Sequence, residues 1–189
     1  MKDLTESKLT SQQVFGGRLL DVRRDEVSLP NGAVSTREYI RHPGAVVIDP
    51  VLPSEEILLI RQFRYPMGIS EIEIPAGKID QGEQPEETLH RELEEETGYR
   101  AERTTFLTES HPCIGYSNEK MWLYLAEDLK EGISGGDEDE FIELMPTPLE
   151  EALKMIRLGQ IKDVKAIIGL FWADKVRKGE WRPPDRQKS

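Results

Sequence analysis

The chain has a single cysteine, Cys113, among 189 residues, so no intrachain disulfide can form and the composition fits a reducing compartment such as the cytoplasm. Beside Pro112, that thiol reads as a neutral side chain rather than a nucleophile. Histidine is almost as scarce, and His42, His90 and His111 are too scattered to make a metal or nucleophile set. Positive charge is short as well: 25 Lys and Arg stand against 36 Asp and Glu, for a formal charge of -11 and a pI near 4.9. That balance argues against nucleic acid or an anionic membrane as partner, because both demand a basic footprint. No apolar run approaches the roughly 20 residues that cross a bilayer, and MKDLTESKLTSQQVF carries no apolar signal core. Aromatics make up 7%, and Trp122, Trp172 and Trp181 read as core or edge residues rather than as a base-stacking platform.

What remains suits one globular domain, 37% hydrophobic and large enough for a proper core, with a small extra subdomain. From Val14 to about Asp49 the chain reads as short strands, with a hairpin turn at Pro30-Asn31-Gly32. Ala45–Ile48 and Ile57–Phe63 are apolar runs of strand length bounded by breakers, and Thr104–Leu107 and Met121–Ala126 read as further strands. Pro85 opens a helix that Gly98 closes. Two more helices are predicted, from Thr147-Pro148 to about Leu158 and from Val164 to Val176. The expected division is residues 1–44 as an N-terminal β-strand subdomain, 45–178 as the main domain and 179–189 as a polar, loosely held tail.

One helix carries an unusual load. In GKIDQGEQPEETLHRELEEETGY, Glu92, Glu95 and Glu96 fall on one arc at 100° per residue, and Leu89 and Leu93 fall on the next. Like charges three and four apart repel. Such a run is either a solvated face or a cation site, and three carboxylate ligands suit Mg²⁺ or Mn²⁺ better than zinc or copper. The cation would also supply the positive charge that the overall acidity denies a phosphate substrate.

Gly77, Glu83, Arg91, Glu92, Leu93, Glu95, Glu96, Gly98 and Tyr99 match every specified position of the Nudix box, G-x5-E-x7-R-E-U-x-E-E-x-G-U, and the chain is identified by them as a member of the Nudix hydrolase superfamily. Seven fixed identities arise by chance on the order of 10⁻⁷ per starting position. The resemblance implies an α/β fold, an α/β/α sandwich with a mixed sheet, and hydrolysis of a nucleoside diphosphate linked to another group. It implies Mg²⁺, with Mn²⁺ as substitute, on Glu92 and Glu96, with Glu95 as ligand or support and the Ala76 carbonyl as an added ligand. Gly77, Glu83, Arg91 and Gly98 then support the loop.

Pyrophosphate hydrolysis also needs a base for the attacking water. The second acidic run, Gly135-Gly-Asp-Glu-Asp-Glu140, reads on composition as a solvated loop, but it resembles the base-bearing loop of ADP-ribose pyrophosphatases. Matching Phe141-Ile142-Glu143 to the strand after that loop makes Glu138 the base and Glu140 a further metal ligand, and a two-residue slip exchanges them. Arg61-Gln-Phe-Arg64-Tyr-Pro-Met-Gly68 with Glu73–Gly77 resembles the ADP-ribose and nucleoside diphosphate sugar branch. Arg61 and Arg64 are therefore phosphate candidates, with surface salt bridges as their plain alternative, and Glu73 a sugar-hydroxyl acceptor. In that branch N-terminal strands exchange across a homodimer, which makes Tyr39 and Arg41 cross-subunit candidates. Cys113-Ile114-Gly115 stands where the branch usually has Ser-Pro-Gly, so GDP-mannose and other nucleotide sugars stay open beside ADP-ribose. A hydrolase of dinucleoside polyphosphates or triphosphates, and a non-catalytic nucleotide-sugar sensor, are the remaining alternatives.

Overall fold

The computed structural model describes residues 2–132 and 141–184, which fall into two compact units. The first comprises residues up to Pro43 together with His111–Lys120. Its three strands, β1 (Ser7–Gly16), β2 (Asp21–Ser28) and β3 (Val34–Arg41), form an antiparallel sheet in the order β1-β2-β3. The predicted turn closes β2 onto β3: the Leu29 amide donates to the Ala33 carbonyl at 2.8 Å, and Gly32 takes a φ of 84° that only glycine adopts cheaply. The first strand starts at Ser7 rather than at Val14. SKLTSQQVFG is exposed along its whole length, so it has no burial pattern to read and is held by its backbone ladder to β2. Within the same unit the Ile40 amide donates to the Tyr116 carbonyl at 2.8 Å, tying the 111–120 loop to β3.

The second unit contains β4 (Ala45–Pro50), β5 (Ile57–Arg64), β6 (Ile69–Glu73), β7 (Ala76–Lys78), α1 (Pro85–Thr97), β8 (Tyr99–Ser110), β9 (Met121–Glu131), β10 (Ile142–Thr147), α2 (Leu149–Arg157) and α3 (Val164–Arg177). Its sheets have the orders β7-β4-β9-β8 and β10-β5-β6. The pair β4 and β9 is parallel and the other pairs are antiparallel, so the larger sheet is mixed, as expected.

Residues of β4 and β9 alternate between two apolar clusters, which is why AVVI lacks polar positions. Val47, Leu123 and Leu125 pack with Ala166, Leu170 and Ala173 of α3, whereas Val46, Ile48, Tyr124 and Ala126 pack with Leu89 and Leu93 of α1. The sheet thus lies between helices, and the two leucines fix which side of α1 faces it. Complete burial of each contributes about 1.5–3 kcal/mol. Pro85 occupies the first turn of α1, the Glu87 carboxylate accepts from the Gln84 amide at 2.8 Å, and Gly98 ends the helix at φ 74°.

Two strands run longer than the sequence pattern suggests: RAER in β8 and EDLKE in β9 are mostly polar and pair from Tyr99↔Glu131 inward, and only Ala101 and Leu129 within them are buried, in the cluster that packs on α1. The start of the tail is also more ordered than expected. Trp181 meets Trp172 edge to face at 4.7 Å, and its amide donates to the Lys175 carbonyl at 3.1 Å.

One core residue breaks the apolar pattern. Asp49 on β4 is 0% exposed, and neither carboxylate oxygen has a hydrogen-bond partner among the described residues. A Cβ at Gly169 of α3 would come within 2.5 Å of it, so glycine there makes the room. Burial raises the Asp49 pKa well above the ordinary carboxylate value. The folded state keeps a proton that the unfolded chain releases near pH 3.9. The resulting stability is complete below about pH 4 and is lost as pH rises towards the folded pKa. Urea unfolding of Asp49→Asn beside the natural chain should show the variant gaining relative stability between about pH 4 and pH 8; a pH-independent difference would contradict a buried, protonated Asp49.

Candidate active site

The half-buried side of α1 beside its apolar face carries the acidic arc. Leu89 and Leu93 seat the helix, and Glu92, Glu95 and Glu96 follow on the adjoining side. Arg91 organises them. Its Nη1 donates to Glu92 at 2.7 Å and to Glu95 at 2.9 Å, while Nε and Nη2 each donate to Glu83 at 3.0 Å. Glu83 also accepts from the Thr88 hydroxyl at 2.7 Å. Hydrogen bonds from Arg91 and then Thr88 lower the Glu83 pKa to about 2, so it stays ionised at any physiological pH.

Glu92 and Glu96 both lean on β7. The Ala76 amide donates to Glu96 at 3.1 Å, and the Glu92 carboxylate occupies the space where a Cβ on residue 77 would lie, 1.8–2.2 Å from its carboxyl atoms. The glycine loop and the acidic helix are therefore one steric unit, with Gly98 as its stop.

Glu73, the last residue of β6, is only 2% exposed. Arg64 holds it through both oxygens, Nε at 2.6 Å and Nη2 at 2.7 Å, and Lys165 of α3 pairs with it as well. Burial alone would raise the Glu73 pKa, but the Arg64 hydrogen bonds and the Lys165 charge outweigh it and the net direction is down. The Glu73 carboxylate is thus paired with Arg64 and Lys165, as a carboxylate this buried requires.

Arg61 does not join this group. Three positions from Arg64, it lies on the opposite face of β5 and donates through Nε to Glu143 at 2.8 Å. There it lines an open cavity of about 460 Å³ with Phe63, Ser70 and Phe141. In the first unit, the Tyr39 hydroxyl donates to Asp25 at 3.2 Å and Arg41 pairs with Asp21 at 2.7 Å. Glu138 and Glu140 lie outside the described residues.

Sequence reasoning missed Lys165 and Asp163. A signal was present: Lys165 is the second residue of α3, where a cation opposes the helix dipole, so an acidic partner from elsewhere is called for.

Among the described residues no three His, Cys, Asp or Glu side chains form a ready metal cage. The donor set nevertheless fits a hard divalent cation. Three carboxylates meet at the guanidinium of Arg91, and Gly77 clears the room in which Glu92 sits.

Comparison with known proteins agrees with this geometry. The NUDIX domain model matches residues 40–166, and the nucleoside diphosphate sugar hydrolase N-terminal domain model matches residues 6–40. An ADP-ribose pyrophosphatase of Bacillus subtilis (strain 168) is 42% identical over 167 residues, covering 87% of this chain and 90% of that protein. A methanol dehydrogenase activator of Bacillus methanolicus has the same identity and coverage. The crystal structure of an ADP compounds hydrolase superposes with a TM-score of 0.85 at 28% identity, covering 96% of this chain and 100% of that one.

Gly77→Ala tests the steric unit. The clash falls on the end of a flexible side chain, so the fold should survive by far-ultraviolet circular dichroism while the Glu92 carboxylate is driven off its seat. Mn²⁺ affinity read by electron paramagnetic resonance should then weaken by about 10- to 100-fold, as for loss of a group that orients a ligand.

Proposed function

The chain belongs to the Nudix hydrolase family, and on that footing we propose that it is a Mg²⁺-dependent pyrophosphohydrolase of ADP-ribose and related nucleoside diphosphate sugars, releasing a nucleoside monophosphate and a sugar phosphate. The observation that carries the reading is the set of hard oxygen donors on α1 together with the Arg64 guanidinium, which lies close enough to feel the Glu96 charge. A diphosphate brings charge of the sign that Arg64 accepts, and the acidic helix needs a cation that a diphosphate also needs. The N-terminal match at residues 6–40 supports the sugar-linked class over triphosphates.

In this reading Glu92, Glu96 and Glu95, with the Ala76 carbonyl and Glu140, would hold the divalent ions, Mg²⁺ or in its place Mn²⁺. Such ions, when bound, offset negative charge on the phosphoryl oxygens and make water easier to deprotonate. Glu138 takes the proton of the attacking water. Arg64 offers a planar fork to a phosphate. Glu83, itself held ionised by its hydrogen bonds, fixes Arg91 so that Arg91 aims Glu92 and Glu95. Arg61, on the opposite face of β5, is the weaker phosphate candidate.

We also infer a homodimer formed through the N-terminal strands, with Tyr39 and Arg41 as candidate contacts to the second copy's substrate. In support, β1 is an exposed edge strand, and Leu9, Val14 and Phe15 on it are solvent-accessible. Sedimentation equilibrium should read about twice the 21.6 kDa chain mass; a monomer at all concentrations would remove this part.

Incubation with Mg²⁺ and ADP-ribose, ADP-glucose, GDP-mannose, UDP-glucose, NADH, ATP and a diadenosine polyphosphate, with products separated by chromatography, tests the substrate class. AMP and ribose 5-phosphate from ADP-ribose are expected, and a clear preference for ATP or the diadenosine compound would overturn the assignment. Glu138→Gln should lower kcat by about 10²- to 10⁴-fold at saturating Mg²⁺. If Glu138→Gln and Glu140→Gln both kept near-normal turnover, the base would lie elsewhere.

A further inference from the structure

Glu73 is buried between two cations from different elements, Arg64 at the end of β5 and Lys165 in the first turn of α3. Arg64 alone would balance its charge. Lys165 is a second cation, its side chain only 13% exposed, placed where the α3 dipole disfavours it and where ordering a long side chain costs entropy. Asp163 compensates on the other side. Its Oδ2 accepts from Lys165 Nζ at 2.9 Å and from the Ala166 amide at 3.1 Å, so one carboxylate caps α3 and steers the lysine. The four charges form a neutral chain, Asp163 to Lys165 to Glu73 to Arg64.

The far end of that chain is open. Glu73 engages the Nε and Nη2 edge of Arg64, whose side chain remains 40% exposed, and Nη1 donates to no described residue. The guanidinium is thereby clamped along one edge and presented along the other. If Lys165 left, Glu73 would keep one cation in a buried site and Arg64 would have to serve as its sole counter-charge, pulled inward from its presenting position.

We propose that Lys165 and Asp163 are positioning residues of the active site, acting through Glu73 to hold the Arg64 fork in the orientation that receives a phosphate. The proposal rests on Arg64 being a substrate contact, as in the proposed function. It makes the N-terminus of α3 part of the site's electrostatic frame, and Asp163 couples helix capping to substrate affinity.

Two readouts test it. Exchange of the Arg64 Nε proton, followed by ¹⁵N NMR without substrate, should accelerate in Lys165→Met and in Asp163→Asn; unchanged exchange in both would overturn the proposal. Steady-state kinetics with whichever diphosphate the natural chain hydrolyses give the second. Lys165→Met should raise KM about tenfold with kcat changed less than about threefold, and Lys165→Arg should recover most of that loss. In a Glu73→Gln background, Lys165→Met should add less than about twofold, because neighbours in one network are not additive. Full additivity would mean that Lys165 acts independently of Glu73, and a lowered melting temperature with KM unchanged in Lys165→Met would make the network a staple of α3 only. Asp163→Asn retains a capping side chain, which separates loss of steering from loss of the helix. Failure of the substrate assignment shows in the natural chain alone, before any variant is compared.

Discussion

The mutual repulsion of carboxylates along α1 is the constraint around which the rest of this structure is arranged. Glu92, Glu95 and Glu96 gain nothing from each other, and a helix carrying them needs compensation. Burial of Leu89 and Leu93 provides it on one side. Arg91 provides it on the other, with one guanidinium spread over Glu83, Glu92 and Glu95. Gly77 is part of the same solution, since only a residue without Cβ leaves space for the Glu92 carboxylate against β7. Helix, arginine and glycine loop therefore depend on one another, and a divalent cation held by the same carboxylates would relieve their repulsion further.

A different balance holds at the neighbouring network. Glu73 is buried, yet two cations and a second acid close its charge within the protein. Buried ion groups of this kind contribute little net stability, because desolvation takes back most of the Coulombic gain, but they restrict orientation. Asp49 marks the contrast. It lies in the core with no cation and no donor among the described residues, so protonation rather than pairing answers its burial. Two carboxylates with similar depth thus have opposite pKa directions, and the difference is whether basic side chains reach them.

Much of this was legible in the amino-acid order, for local reasons. The start and stop of α1 follow from Pro85 and Gly98, and the acidic arc follows from helical spacing. The buried strands β4 and β5 follow from unbroken apolar runs. The hairpin turn follows from Asn31-Gly32. Elements held mainly by backbone ladders were invisible or cut short: β1 is exposed throughout, so Leu9, Val14 and Phe15 give it no burial pattern, and the outer halves of β8 and β9 look like loop. The parting of Arg61 from Arg64 was readable in principle from strand alternation, but which face meets Glu96 depends on how β6 and α1 come together.

What the sequence by itself determined is the chemistry that can be carried: hard oxygen donors on one helix face, an arginine among them, and glycines at both ends. These are periodic or compositional properties, and each is set within a stretch of about 20 residues. Only the tertiary structure decided the partners. Glu73 meets Lys165 across 92 residues of chain, Asp49 meets Gly169 of α3, and Arg61 is turned towards Glu143. Such pairings depend on strand register and helix placement, and those are decided by the summed burial of the whole core rather than by any segment alone.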